Sequence, residues 1–125
     1  MLFDTDVWVW YLRGDPKAAK VIGEAPLINL SCVTYMELLQ GVRNSREMAQ
    51  LRDTLEEKGT KMIYLDEAAA SQALLLMEQY CLSHSMKMGD ALLAATALRH
   101  GWTLCTANDK HYRMIHGLEI KKFRP

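Results

Sequence analysis

No run of apolar residues in this chain reaches the roughly 18 needed to cross a membrane as a helix, so no membrane partner is expected. Cysteine is scarce and odd in number: Cys32, Cys81 and Cys105, without CxxC spacing. That excludes a disulfide framework or a thiolate zinc site and points to buried thiols in a reducing compartment. The four histidines, His84, His100, His111 and His116, form no i,i+4 pair on a helix, so they are read as structural or surface residues. Charge of one sign is missing as well, because 15 Lys and Arg balance 15 Asp and Glu. No general field therefore draws the chain onto a polyanion, which would have to be held by a local patch or by metal ions. The chain starts directly with Leu2-Phe3-Asp4, without the basic and apolar regions of a signal peptide, so a cytoplasmic location is expected. Linkers, repeats and low-complexity segments are absent too.

What remains is ordinary for a globular fold: 125 residues, 50% hydrophobic and 24% charged. This length gives one domain, residues 1–125, with a proper core. Strand and helix signals alternate along it with short joins. Strands are expected at Met1 to Phe3, Leu27 to Leu30, Lys61 to Leu65, Trp102 to Cys105 and Leu118 to Phe123. Helices are expected from Val7 to Leu12, Pro16 to about Gly23, Tyr35 to Val42, Glu47 to Lys58 and Glu67 to Ser83. Asp66 can cap the last of these, and Ser31 to Thr34 offer several N-caps for the third. Regular alternation of this kind argues an α/β fold, a central parallel sheet covered on both faces by helices.

The stretch from Lys87 to Asp109 organises the rest. Gly89 breaks the chain and Asp90 opens a helix whose Asp90, Ala94 and Ala97 share one face, with Leu93 and Leu98 beside it. Gly101 fits the left-handed position past the helix end. If the next strand is parallel to its neighbours, the helix start and the strand end share one sheet edge, so Asp90 and Asp109 face one crevice. The other acids fall in with this. Asp4 closes the first strand, and Glu37 lies about one turn into the helix after the second. In an open parallel sheet these are carboxyl-edge positions, where such folds bind ligands. Capping accounts for Asp66 but poorly for the set Asp4, Glu37, Asp90 and Asp109, since Glu37 lies too far inside its helix. Crowded carboxylates repel one another unless a divalent cation neutralises them. Oxygen ligands without His or Cys suit Mg²⁺ or Mn²⁺.

Four motifs then stand in order: Phe3-Asp-Thr-Asp-Val7, Val33-Thr-Tyr-Met-Glu-Leu38 with Gly41 and Arg43, Gly89-Asp-Ala-Leu-Leu-Ala94, and Leu104-Cys-Thr-Ala-Asn-Asp-Lys-His-Tyr112. Together they resemble the PIN-domain family, in particular the VapC-type ribonuclease toxins of bacterial toxin–antitoxin pairs. The resemblance implies a three-layer α/β/α fold with about five parallel strands in the order 3-2-1-4-5. It also implies a metal-dependent endoribonuclease that forms homodimers and is held inactive by a cognate antitoxin. The family's acidic positions carry over to Asp4, Glu37 and Asp90, and Asp6 and Thr106 match positions that support the site by hydrogen bonds. The usual spacing of the fourth position lands on Asn108, with Asp109 one residue later; as only a carboxylate brings full charge, Asp109 is expected to complete the site. Asp4 and Asp90 are the expected metal ligands. Glu37 and Asp109 would hold waters of the ion or a second ion, and one of them would take the attacking water's proton. Arg13, Arg43, Lys87, Lys110 and Arg113 are candidate contacts to the RNA backbone.

Trp8, Trp10 and Tyr11 crowd one short helix, so part of this aromatic surface, Trp8 above all, is a candidate for the contact between chains. The sequence also admits two rival readings: a catalytically silent PIN-like module that only holds RNA or protein, and a receiver-type phosphoacceptor with Asp66 as acceptor. The receiver reading leaves Glu37 and Asp90 unexplained and finds no suitable lysine after its fifth strand.

Overall fold

Alternation with a period of two sets the layers. The computed structural model describes residues 1–125. In strand β1 (Leu2–Phe3), Leu2 points into one core and Phe3 into another on the opposite side. Strand β4 (Leu104–Thr106) repeats this, with Leu104 joining Leu2 and Cys105 joining Phe3. The first core is covered by α5 (Glu67–His84) and α6 (Met88–His100), through Ala73, Leu76, Leu93 and Ala94 among others. The second is covered by α1 (Thr5–Leu12), α2 (Pro16–Gly23), α3 (Cys32–Gln40) and α4 (Ser45–Glu57), through Trp8, Ile22, Leu38 and Leu55. Strands β2 (Ile28–Ser31), β3 (Thr60–Ile63) and β5 (Ile120–Lys122) complete a five-stranded sheet in the order β3-β2-β1-β4-β5. Every pair is parallel. The three-layer α/β/α architecture and the strand order expected from the sequence are both present.

Because β1 lies between β2 and β4, chain leaving β1 and β2 turns one way across the sheet and chain leaving β4 the other. A crevice results at the carboxyl edge beside β1. The helix starts at this edge begin earlier than the apolar pattern implies, because polar caps recruit residues into the first turn. Asp4 accepts a hydrogen bond from Thr5 N at 2.7 Å, so α1 starts at Thr5 rather than Val7. Ser31 accepts from Val33 N at 3.1 Å and starts α3 at Cys32. In α4 the cap is Asn44, accepting from Glu47 N at 2.9 Å, while the Glu47 carboxylate reaches back to Arg43 N at 2.9 Å. Asp66 caps α5 as expected, accepting from Ala69 N at 2.8 Å.

Two expectations are overturned. Trp8 is fully buried, packed edge-on against Phe3 and Tyr11 with ring centroids at 6.3 and 5.7 Å. It belongs to the core and cannot form a contact between chains; the neighbouring apolar strand residues claim it first. The thiols are also not uniformly buried: Cys105 is, with its thiol pushed up to about 11 by burial, but Cys81 is exposed. No helix is long and apolar enough to cross a membrane. Trp8→Ala should therefore cost about 3–5 kcal/mol, read from urea unfolding midpoints. Trp8→Glu should abolish the cooperative transition rather than give folded monomers.

Candidate active site at the carboxyl edge

Asp4 leaves β1 with its carboxylate almost wholly buried, at 8% exposure. Three groups reach it: Thr5 N donates to Oδ1, while the hydroxyls of Thr106 and Tyr112 lie 2.8 and 3.0 Å from Oδ2. Thr106 ends β4, the strand paired with β1, so the sheet itself brings its hydroxyl to Asp4. Tyr112 follows the 3-10 turn Asp109–His111 and is fully buried. Its hydroxyl also lies 3.0 Å from Asp90 Oδ1. One phenol thus touches a carboxylate from the first strand and one from the first turn of α6.

Asp6 stands in the first turn of α1. Its Oδ2 accepts from Ala107 N at 3.0 Å and from the Asn108 side-chain amide at 3.0 Å, with the Thr106 hydroxyl 3.4 Å away. Its Oδ1 is buried without a partner. Glu37, on the exposed side of α3, accepts from the Thr5 hydroxyl at 2.7 Å, and the Thr34 hydroxyl lies 3.1 Å from that of Thr5. Gly89 is not a break but part of the first turn of α6, and a Cβ there would sit 3.2 Å from Glu37 Oε2. The glycine lets α6 start close against α3 without pushing on the end of the Glu37 side chain. Gly101, by contrast, ends α6 in the left-handed region at φ 66°, as its place in the sequence implies.

Asp4, Asp6, Asp90, Thr106 and Asn108 are thus joined in one network, and Glu37 is tied to its edge through Thr5. Asp109 faces elsewhere: its carboxylate lies 3.3 Å from Lys122 Nζ on β5, and that hydrogen bond holds its pKa below the ordinary carboxylate value. Asn108 points inward to Asp6 while Asp109 points to Lys122. Among the expected backbone contacts, Arg43 is paired with Glu47 at 2.7 Å and Arg13 lies over the Trp10 ring at 5.7 Å. Lys87 and Lys110, with His84 and His111, line a recess of about 230 Å³ beside Asp90. Thr5, Thr34 and Tyr112 were missed as site residues. Their only signals were a threonine between Asp4 and Asp6, a threonine three before Glu37, and a hydroxyl on the aromatic that closes the last motif.

The electrostatics are those of uncompensated acids. No lysine or arginine pairs with Asp4, Asp6, Glu37 or Asp90, and the one ion-pair contact is His111 Nδ1 at 3.5 Å from Asp90 Oδ2. Burial first, then the charge of Asp6, raises the Asp4 carboxyl to about 7 against its hydrogen bonds. Burial likewise raises Asp6. Burial and the charges of Asp4 and Asp90 hold the Tyr112 phenol far above its ordinary range, so it stays protonated, with one proton to share between the two carboxylates. A divalent cation fits this donor set by charge and by its oxygen ligands. No three His, Cys, Asp or Glu side chains close into a ready-made cage.

A parallel α/β sheet with strand order 3-2-1-4-5, gathering unpaired acids at its carboxyl edge, defines the class. The chain belongs to the PIN-domain family, whose model matches residues 1–116, and within it to the VapC type. It is 34% identical to Ribonuclease VapC19 of Mycobacterium tuberculosis, over 94% of this chain and 96% of that protein. Among solved structures it is similar to a toxin–antitoxin complex from Klebsiella pneumoniae, with a TM-score of 0.74 at 27% identity, covering 94% and 93% of the two chains. The fold is also shared with VapBC-1 from nontypeable Haemophilus influenzae, with a TM-score of 0.78 at 21% identity, covering 97% and 96%.

The raised Asp4 carboxyl has a consequence for stability. The unfolded chain releases this proton near 3.8 and the folded chain near 7. Its contribution is therefore full below about pH 3.8 and is lost as pH rises through 7. Asp6, raised in the same direction, adds to the trend. The melting temperature of chelator-treated protein should fall between pH 5 and pH 8, by the equivalent of on the order of 2 kcal/mol. Asp4→Asn should remove most of that slope, with thermal melts across the range as the check.

Proposed function

We propose that the chain, residues 1–125 acting as one PIN-like domain, is a divalent-metal-dependent endoribonuclease. It would be the toxin of a cytoplasmic toxin–antitoxin pair, with RNA as substrate, a cognate antitoxin as inhibitor and a second copy of itself as partner. The observation that carries the chemistry is the convergence of Asp4, Glu37 and Asp90 on one edge without a basic side chain to balance them. Membership of the VapC type and the 34% identity to a ribonuclease support the reaction class. Likeness to a toxin–antitoxin complex at 27% identity supports the antitoxin partner.

Asp4 and Asp90 would hold Mg²⁺ or Mn²⁺, with the Tyr112 and Thr106 hydroxyls fixing their orientation. When bound, the cation neutralises the phosphodiester and acidifies a water for attack at phosphorus. Glu37, exposed and held by the Thr5 hydroxyl, would take the proton from that water. Asp6 braces the loop after β4 by accepting from Ala107 and Asn108. Asp109 would act from the rim of this edge, its charge balanced by Lys122.

Asp4→Asn and Asp90→Asn should each abolish Mn²⁺-dependent cleavage of RNA, at least about a hundredfold, with the circular dichroism of the wild type. Asp109→Asn should cost less than either, because its charge is already matched. Cleavage by folded Asp4→Asn or Asp90→Asn at the wild-type rate would remove the assigned ligands. Cleavage unaffected by chelation would remove the metal. A folded, metal-binding wild type that cleaves no RNA would leave the silent binding module.

Gly89→Ala separates positioning from stability. Alanine favours a helix by roughly 0.5–1 kcal/mol over glycine, and the Glu37 side chain is free to move aside. Unfolding midpoints should stay level or rise while cleavage falls, as Glu37 is displaced from the place Thr5 holds it.

A further inference from the structure

Tyr112 carries a buried polar group that packing does not explain. Its ring fills the core under α5 and α6 with Leu2, Leu93 and Leu104, and a phenylalanine of the same shape would fill that space equally well. Burying a hydroxyl is costly unless it finds partners. Here it has two, Asp4 Oδ2 and Asp90 Oδ1, each at 3.0 Å. They come from elements far apart in sequence, the end of β1 and the start of α6.

Lone-pair bookkeeping shows what this hydroxyl does. A carboxylate offers about four acceptor sites over two oxygens. Asp4 Oδ2 already faces both Thr106 and Tyr112, and Oδ1 faces Thr5 N. What remains open on Asp4 is therefore on Oδ1. On Asp90, Oδ1 faces Tyr112 and Oδ2 lies toward His111. We propose that Tyr112 is a positioning residue for the cation site: its hydroxyl lies between Asp4 Oδ2 and Asp90 Oδ1 and shares its one proton between them, holding one oxygen of each carboxylate. The clamp fixes the spacing of the two carboxylates and selects which oxygens are left for a divalent cation. This rests on the reading of Asp4 and Asp90 as the metal-holding pair. Partners that orient ligands in this way commonly change metal affinity by about 10–100-fold when removed.

The test is calorimetric titration of the full chain with Mn²⁺ alone, comparing wild type with Tyr112→Phe. Phenylalanine keeps the packing and deletes only the clamp. Mn²⁺ affinity should weaken by about tenfold or more in a variant with wild-type near-ultraviolet circular dichroism. A merely structural hydroxyl would shift the melting temperature and leave Mn²⁺ affinity within twofold, and that result overturns the clamp alone. A wild type that takes up no Mn²⁺ overturns the metal-holding pair, and the clamp with it. Should Tyr112→Phe fail to fold, the wild-type chain labelled with ¹³C at tyrosine Cζ decides the matter under Mg²⁺ titration. The Tyr112 resonance should then move with the midpoint of metal binding, and a resonance that stays fixed overturns the clamp.

Discussion

A carboxylate taken out of water beside other carboxylates must be compensated, and the end of β1 is where this structure meets that constraint. Asp4 is nearly buried, close to Asp6 and linked through one phenol to Asp90. No basic side chain is brought to it. Hydroxyl and amide donors surround it instead, from Thr5, Thr106 and Tyr112. Such donors orient a carboxylate without neutralising it. The charge is thereby left for something that arrives from outside, and burial keeps that unmet charge costly. Stability and chemistry thus pull in opposite directions at one residue.

The sheet makes the crowding possible. In the order β3-β2-β1-β4-β5 the shortest strand, β1, is flanked on both sides, so its exit is hemmed by the exits of β2 and β4. α1 begins immediately at Thr5, α3 immediately at Cys32, and Thr106 ends β4. None of these joins has slack, so Glu37 reaches the same edge as Asp4, and Tyr112, a few residues after β4, ties Asp90 to it. α6 contributes from the other face because Gly89 lets its first turn approach Glu37. An open parallel sheet supplies the crevice in general terms; short joins and one missing Cβ make it narrow.

The architecture was legible because it depends on periodicity and punctuation spread over many residues. Alternating strand and helix signals, Gly101 past its helix and Asp66 as a cap all rest on local preferences that tertiary structure did not override. Failures came where a neighbour distant in sequence decided the outcome. Trp8 reads as half exposed on a helix only until Phe3 and Tyr11 close around it. Gly89 reads as a breaker because local sequence cannot show Glu37 arriving against it. The α4 start was obscured for a subtler reason. The helix begins at Ser45, ahead of the expected Glu47, because Asn44 caps it by accepting from Glu47 N while the Glu47 carboxylate reaches back to Arg43 N. The hydroxyl of Tyr112 leaves no mark in the sequence, because an aromatic after a strand reads as core, and its ring is indeed core.

The turn after β4 shows why residue type alone does not locate a charge. Asn108 and Asp109 are adjacent and leave the same strand, so each was a candidate to face the acids. Once Thr106 has bonded Asn108 N, at 3.0 Å, the turn sends the Asn108 side chain to Asp6 and the next side chain to Lys122. An amide is the better occupant of the inward position in the metal-free protein, because it donates to Asp6 where a carboxylate would repel it. The carboxylate finds its lysine on β5 instead. Around the acids the cations divide in the same way: Arg43 is committed to Glu47, whereas Lys87 and Lys110 line the recess against Asp90. A chain with no net charge can therefore present a polyanion with negative groups where a cation is wanted and positive groups beside them. The local arrangement, and not the total, governs what it attracts.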